Sequence, residues 1–377
     1  MDASHEEPVI SICIVTGRRD VVLDACLASL QRQERAPAWE LLVCAEGDPE
    51  VIGAVHARFP DARVCYVERA LPGAARNLLV AQAQGELLLF LDDDVTVETD
   101  LLARLVRVAA EHPGAGVFGG PNDTPRRSTP FQVVQGAALA SIVGSGPVRR
   151  RYGAHPAGEA DERFFILCNL AVRRTEMVPF AHDLICAEEN GVLAKLARRG
   201  VRMHYDPELV AYHQRRATWR GFAQQMHKYG RGRGQLLRRQ PDTARLAYLA
   251  PTGLLVYLAC SPVLVLALGP LALVPAAAYA TAVTACAVWI ARTLRRTGAL
   301  PTAAALIAVL HACYGSGLVR GVLAPRRQVA VPEARAWLGP LTIDLREPLG
   351  ERVDVVDRSV AESGAEAPSD GVGELAR

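Results

Sequence analysis

The sequence predicts an α/β domain on a mainly parallel, Rossmann-like sheet, followed by a C-terminal transmembrane helical region. Three features carry this prediction. Short apolar runs of strand length alternate with helix-spaced segments from Pro8 to about Gln240, the fourth run drives into Asp92, Asp93 and Asp94, and charges almost vanish from Leu246 to Leu323. Strands alternating with helices imply right-handed crossovers and a sheet covered on both faces, and such sheets bind ligands beyond the carboxyl ends of their strands. The three aspartates stand at one of those ends.

PVISICIVTG (Pro8 to Gly17) is a continuous apolar run stopped by Thr-Gly and suits a buried parallel strand. Val22, Cys26, Ser29 and Leu30 fall at helical spacing and predict a helix to about Gln33. WELLVCAEG is the second strand, Val51 to Arg58 a short helix, ARVCYVE the third strand, and Leu78 to Gln84 part of another helix. ELLLFLDDD is the fourth strand, and FFILCNLAVRR (Phe164 to Arg174) reads as a later one. Trp219, Phe222, Met226 and Tyr229 share one helical face with cationic residues following, a pattern that suits a membrane interface.

LAYLAPTGLLVYLACSPVLVLALG, Leu246 to Gly269, is about 24 residues without a charge, or ~36 Å as a helix, longer than a bilayer core. Pro270 to Ala291 follows after almost no loop, so the pair predicts a helical hairpin through the membrane, kinked or bounded by Pro251, Pro262 and Pro275. Ala299 to Leu323 carries His311, Gly315, Gly317 and Arg320 and reads as a span first, then as a re-entrant or interfacial helix. Arg231, Arg233, Arg238, Arg239 and Arg245 precede the first span, and Arg292, Arg295 and Arg296 follow the second. That places both flanks in the cytoplasm, whereas a third full span would carry Arg326 and Arg327 outside. The opening MDASHEEP is acidic and lacks the basic start and apolar core of a signal peptide. The expected organisation is a cytoplasmic domain over 1–240, membrane helices over 246–324, and a C-terminal segment over 325–377, disordered from about 351. The expected place is the inner (plasma) membrane.

Composition narrows the function classes. With 377 residues, 50% hydrophobic, and a net charge of +2, the chain has room for about two domains and is by its totals neither disordered nor a nucleic-acid binder. Its 9 cysteines form no CxxC, and Cys13, Cys44 and Cys65 sit in strand-like runs, which reads as buried reduced thiols rather than disulfides or metal ligands.

Three clustered carboxylates repel one another unless cations or donors compensate them. A hard divalent ion, Mg2+ or Mn2+, holding a diphosphate supplies that compensation, since such ions take one or two carboxylates plus phosphate oxygens and water. The competing reading is a solvated turn in which Asp94 or a later residue caps the next helix.

ISICIVTGRRDVVLDACLASLQRQ, PGAARNLLVAQAQGELLLFLDDDV and CAEENGVLAKLARRG, in that order and spacing, resemble family 2 glycosyltransferases of the GT-A fold over about Pro8 to Arg233. The C-terminal hairpin resembles that of bacterial membrane-associated members that build surface polysaccharides or glycolipids. The resemblance implies inverting, metal-dependent hexosyl transfer from a nucleotide-sugar donor to a hydroxyl on a lipid-linked or glycan acceptor, with the bilayer as a partner and no nucleic acid. It maps the metal motif onto Asp92 and Asp94, with Asp93 between them, and an acidic pair opening a late helix onto Glu188 and Glu189. Glu189, with Glu188 as alternate, is then the general base, and the metal at Asp94 neutralises the departing diphosphate. Taken alone, the pair also suits a helix start favoured by the helix dipole.

By the same resemblance Thr16, Gly17 and Arg18 belong to the loop that wraps the nucleotide, and Arg76 and Asn77 to the stretch that touches the donor. Ala45 stands where the family usually has the carboxylate that reads the base, with Glu46 as a substitute. Asn169 resembles the acceptor side, although a buried Asn serving the backbone fits equally well. His213, with Arg215 or Arg216, would contact the metal or diphosphate, against the bland reading of a structural His. TWRGFAQQMHKYGRGRG does not reproduce the QxxRW signature of processive synthases, which implies one sugar per encounter.

Two other readings compete. LLLFLDDDVTV satisfies a haloacid-dehalogenase-type phosphatase pattern with Asp92 as nucleophile and Asp94 as acid, but that motif normally opens its domain, and Lys195 and Lys228 lie on helix-like segments. A non-catalytic, membrane-anchored nucleotide-binding scaffold is the other; the retained acidic sites argue against it, and Ala45 shows drift from the family pattern. TGRRD lacks the GxGxxG of a dehydrogenase.

Overall fold

The structure, a computed structural model, describes residues 7–325 and 336–338. The disorder predicted from about 351, Arg326 and Arg327, and most of the acidic start lie outside the described residues. The first half of the chain forms β1 (Ile10–Thr16), α1 (Val21–Gln31), β2 (Trp39–Glu46), α2 (Glu50–His56), β3 (Arg63–Val67), α3 (Pro72–Gln82), β4 (Leu87–Asp92), β5 (Val95–Val97), α4 (Leu101–Glu111), β6 (Ala115–Gly119), β7 (Asn122–Asp123), α5 (Pro130–Leu139) and α6 (Ile142–Ser145). There follow β8 (Gly158–Ala160), β9 (Leu170–Arg173), α7 (Glu188–Arg198), β10 (Arg202–Tyr205), β11 (Ala211–His213), α8 (Trp219–Arg239), α9 (Leu246–Leu268), α10 (Val274–Thr293), α11 (Ala299–Leu323) and β12 (Ala336–Leu338).

The main sheet has the order β12-β3-β2-β1-β4-β9-β6-β10-β8. Its heart, β3-β2-β1-β4, is parallel and largely apolar between the strand ends because both faces are covered, Ile10, Ile12 and Ile14 packing on one side and Cys13, Leu88 and Phe90 on the other. Registering Val15 opposite Asp92 brings the ends of β1 and β4 level at one edge. The sheet is not wholly parallel, since β9 runs antiparallel between β4 and β6. Only Leu170–Arg173 of the stretch read as a strand is one, and residues 167–169 make a 3-10 turn. Phe164, Phe165 and Leu167 are apolar because they enter the core, and an apolar run of that length does not distinguish a strand from any other buried segment.

A small sheet, β5-β11-β7, sits beyond β4, with His213 paired across to Val95. It delivers the end of β11 to the aspartate turn.

Asp20 starts α1 by accepting from the amides of Val22 and Leu23, and Thr129 and Gln132 form a reciprocal cap on α5. The apolar face of α8 does not lie free at an interface. Phe222 and Met226 are buried with residues of α5, α10 and α11, because that face is the core of a second, helical layer. Trp219, 44% exposed, packs against Phe131 with ring centroids 5.1 Å apart and the rings tilted by 59°.

The segments Leu246–Thr293 and Ala299–Leu323 are long and apolar enough to cross a membrane, and α5 with the 142–152 segment, bent by 63°, passes the same test as a pair. Within the first segment the Tyr257 hydroxyl donates to the Ala272 carbonyl at 2.6 Å. A straight helix would hold residues that far apart in sequence roughly 22 Å apart, so the chain reverses between α9 and α10. Gly269, at φ 67°, makes that reversal. Val263, Leu266, Leu268 and Leu271 project from it unburied.

Helices α8 and α11 touch through glycines spaced four apart on each. A Cβ on Gly230 would stand 2.0 Å from the Tyr314 carbonyl oxygen, and one on Gly317 2.2 Å from that of His227. Gly230→Ala must therefore push the helices apart and is expected to destabilise the full chain by about 1–3 kcal/mol. Thermal unfolding in detergent would show a lowered midpoint, with Gly253→Ala, whose Cβ meets nothing within 4 Å, as the neutral control. All cysteines of the described residues are free thiols, and Cys13, Cys44 and Cys65 are buried.

Candidate active site

β4 ends at Asp92, and Asp93 and Asp94 turn the chain into β5. Each carboxylate is met by a different element. Thr16 Oγ1 donates to Asp93 Oδ2 at 2.7 Å and Arg18 Nε approaches the same oxygen at 3.1 Å. The Gly17 backbone lies close against β2, since a Cβ there would stand 3.0 Å from the Glu46 carbonyl oxygen. His213 Nε2 stands 2.9 Å from Asp94 Oδ1, Arg216 Nη2 3.4 Å from Asp94 Oδ2, and the Gln214 amide donates to the Asp94 carbonyl at 2.9 Å. Gln135 on α5 holds the Arg216 amide at 3.1 Å, so the helical layer fixes that arginine.

These contacts separate the two inner acids. Burial pushes Asp93 up to about 6 despite its bonds to Thr16 and Arg18. Burial pushes Asp94 the same way, but His213, Arg216 and Arg18 outweigh it and hold the carboxyl at about 2. Asp94 is the acid the fold keeps ionised.

Arg76 links this edge to the next element. It is 6% exposed on α3, with Nη2 3.0 Å from Asp92 Oδ1 and Nη1 2.6 Å from Glu188 Oε1. Glu188 and Glu189 form the first turn of α7, whose preceding residue, Ala187, adopts φ 66° with no side-chain cap. A non-glycine residue in that region costs on the order of 1 kcal/mol, which the fold spends to swing the helix start towards the aspartates. The positive end of α7 then faces both acids. Burial raises the Glu188 carboxyl against the pull of Arg76, and its Oε2 is buried without a hydrogen-bond partner among the described residues. Glu189 Oε1 accepts from Asn190 Nδ2 at 2.7 Å, with Arg151 Nη1 at 3.9 Å.

A single cavity of ≈ 920 Å³ is lined by Arg18, Arg76, the three aspartates, both glutamates, His213 and Arg216, and continues between α6, α8, α9 and α11. Asp92, Asp94 and His213 can each offer a ligand atom within 4.8 Å of the others. Two carboxylates with one imidazole suit Mn2+ and, less readily, Mg2+. Nδ1 of His213 faces the Asn122 amide at 3.4 Å, while Asn122 Oδ1 is buried without a partner. An amide turned the other way would accept from Nδ1–H and fix the tautomer that frees Nε2 for a cation. The donor set fits.

Other residues expected at the site stand elsewhere. The Asn77 amide exchanges two hydrogen bonds with the Phe180 backbone, at 3.0 and 2.9 Å, and does not line the cavity. Asn169 is 2% exposed and gives its amide to the carbonyls of Leu209 and Pro121, at 2.6 and 3.4 Å. Both amides serve buried backbone groups that would otherwise go unpaired. Glu46 accepts from the Ala70 amide at 3.3 Å, outside the cavity lining. Of the two arginines after His213, Arg216 reaches Asp94, and Arg215 turns to the Asn122 carbonyl at 2.8 Å. His213 stands in the acidic cluster with Asp92 and Asp94. Nothing in the sequence singles out Arg151, Asn190 and Arg233, which line the far side of Glu189, as site residues. They come together only through the fold.

Residues 11–169 match the family model described as Glycosyl transferase family 2. No curated protein matches the chain. Among solved structures it is similar to the mannosyltransferase PcManGT from Pyrobaculum calidifontis in complex with GDP-Man and Mn2+, at 18% identity over 84% of this chain and 88% of that one, with a TM-score of 0.54. It is also similar to S. aureus TarS 1-349 in complex with UDP, at 17% identity over 59% of this chain and 64% of that one, with a TM-score of 0.43. The first likeness shows a shared GT-A fold, a mixed α/β sheet followed by C-terminal helices.

Proposed function

We propose, from the premise that residues 11–169 form a family 2 glycosyltransferase domain, that the protein is a membrane-associated inverting transferase moving a sugar from a nucleotide-diphosphate sugar to a hydroxyl of a lipid-linked acceptor. The observation that carries this reading is Arg76, which bridges Asp92 and Glu188 and so places a cation-competent acid cluster and a second acid pair in one cavity. GDP-Man, bound in the solved neighbour that shares the fold, is the donor class to test first.

Asp92, Asp94 and His213 would hold a divalent cation, which when bound supplies Lewis-acid stabilisation of the leaving diphosphate. Arg18 and Arg216 line the same end of the cavity and present positive charge to the diphosphate oxygens. Arg76 keeps Asp92 and Glu188 neutralised and fixed, a positioning role. Glu189, its Oε1 held by Asn190, uses its other oxygen to take the proton of the acceptor hydroxyl as that oxygen attacks the anomeric carbon opposite the diphosphate. The proton ends on Glu189 and the configuration inverts.

We assign residues 1–240 to a cytoplasmic catalytic domain and 246–324 to membrane helices, supported by the flanking arginines and the apolar reversal between α9 and α10. Tethering a site beside the bilayer raises the effective concentration of a lipid-linked substrate.

The test is release of nucleoside diphosphate from GDP- and UDP-sugars by the full chain in detergent with Mn2+, with lipid products read by mass spectrometry. Metal-dependent release with a glycosylated lipid is expected. Phosphate release from p-nitrophenyl phosphate without it would point to the phosphatase, and neither activity to the scaffold.

A further inference from the structure

The two glutamates divide the cavity. Glu188 faces Arg76 and the aspartates, whereas Glu189 and Asn190 face a second cationic group. There Arg151 and Arg233, 6% and 7% exposed, both donate to one atom, Asn190 Oδ1, at 2.7 and 2.8 Å. That acceptor is neutral. The carboxylate beside them, Glu189, stands 3.9 Å from Arg151, and the Arg233 guanidinium lies over the Tyr248 ring at 4.3 Å. Lys228, exposed on α8, lines the same cavity. Arg151 also donates to the Glu162 and Arg163 carbonyls, at 3.1 and 3.4 Å, which are likewise neutral. Among the described residues Glu189, beside Arg151, is thus the carboxylate this buried pair meets, and buried positive charge in excess is costly unless an anion completes it.

The donor diphosphate does not answer this, because it must meet the aspartates on the far side of Glu188. From the arginine pair the cavity instead runs between apolar residues, Pro251 and Leu254 of α9, Leu310 of α11, and Ile142 and Val143 of α6. These belong to the helices that are apolar enough for a bilayer, or to the bent pair beside them. The occupant must therefore be anionic at one end and apolar at the other.

We propose that Arg151, Arg233 and Lys228 hold the phosphate of an amphiphilic acceptor, a phosphate-bearing lipid whose chain lies between α6, α9 and α11 and whose hydroxyl meets Glu189. Two guanidiniums held together on Asn190 Oδ1, with an ammonium lining the same cavity, match a doubly charged phosphate better than a single carboxylate. This assignment rests on the glycosyltransferase reading and names the class of its acceptor.

The experiment tests the phosphate and the acyl chains alone, without the acceptor hydroxyl. It uses the full chain in neutral detergent and labelled dioctanoyl phosphatidic acid, competed by unlabelled phosphatidic acid, dioctanoylglycerol or inorganic phosphate. Phosphatidic acid is expected to compete at least about tenfold better than either, the weight of one charge-assisted contact. Arg233→Gln is expected to erase that preference and Lys228→Gln to reduce it severalfold. Equal competition by dioctanoylglycerol overturns the anion site, and equal competition by inorganic phosphate overturns the lipid. Should Arg233→Gln fail to fold, the unsubstituted chain and the exposed Lys228→Gln variant still decide. Binding of GDP and UDP with Mn2+, measured in parallel, reports on the transferase reading by itself. Its absence alongside an intact lipid preference sinks that reading, and its presence without the preference sinks this one.

Discussion

Asp94→Asn is expected to lower sugar transfer about 100- to 1000-fold or more while leaving the fold intact, the loss typical of removing one electrostatic stabiliser of a leaving group. Asn has nearly the shape of Asp, and the Asp94 backbone carbonyl keeps its bond from the Gln214 amide. What disappears is the charge. Asp94 is the buried carboxyl that His213 and Arg216 hold at about 2, so it is an anion at any working pH. Its loss leaves His213 with Asp92 as the remaining carboxylate of the cluster and takes from Arg216 the carboxylate it approaches at 3.4 Å. Binding of Mn2+, followed by the electron paramagnetic resonance of the free ion, should weaken in parallel. Chelation of the unsubstituted chain should reproduce the loss and added Mn2+ should restore it. Asp93→Asn is the contrasting variant, since Asp93 is turned to Thr16 and Arg18. Its effect should be smaller and fall on donor KM. A wild-type rate in Asp94→Asn with Mn2+ present would remove the aspartate cluster from the chemistry.

How much of this was legible in the chain differs by element. The strands β1 to β4 were readable because apolar runs of strand length recur between helix-spaced segments, as a sheet covered on both faces requires, and the fourth of them runs into three acids. The antiparallel insertion of β9 was not, because which strand lies beside which is settled by contacts between distant segments. The same limit explains Phe164 to Leu167, where apolar character reports burial and says nothing of backbone form. At the site, three adjacent carboxylates announce themselves through their mutual repulsion, so Asp92 to Asp94 stand out. Glu188 and Glu189 are singled out by the family resemblance alone, since an acidic pair at a helix start is ordinary. Asn77 and Asn169 show the opposite case. An amide can serve a ligand or a backbone group equally well, and only the partner decides. Arg151 sits in a run of three arginines that looks like any solvated basic turn, yet it is buried against Asn190.

Glu189→Gln should abolish most of kcat, by about 100- to 10,000-fold, with little change in donor KM, because a general base contributes that much and only in the transition state. Glu188→Gln should behave differently. Its carboxylate is bound by Arg76 at 2.6 Å, so the amide would release that guanidinium and with it the placement of Asp92, which raises donor KM and weakens Mn2+ binding. The distinction follows from what each carboxylate is free to do. Glu188 is raised by burial and already occupied by Arg76, whereas Glu189 has Oε1 fixed by Asn190 and lies on the side of the cavity that runs to the apolar helices. A hydroxyl arriving from that side meets Glu189 first. Measuring kcat, donor KM and Mn2+ affinity for both variants separates the roles, since a positioning residue moves the second and third quantities and a base moves the first. If Glu188→Gln were the variant that lost kcat with donor KM unchanged, the base and its neighbour would have to exchange places, and the acceptor would have to approach past Arg76.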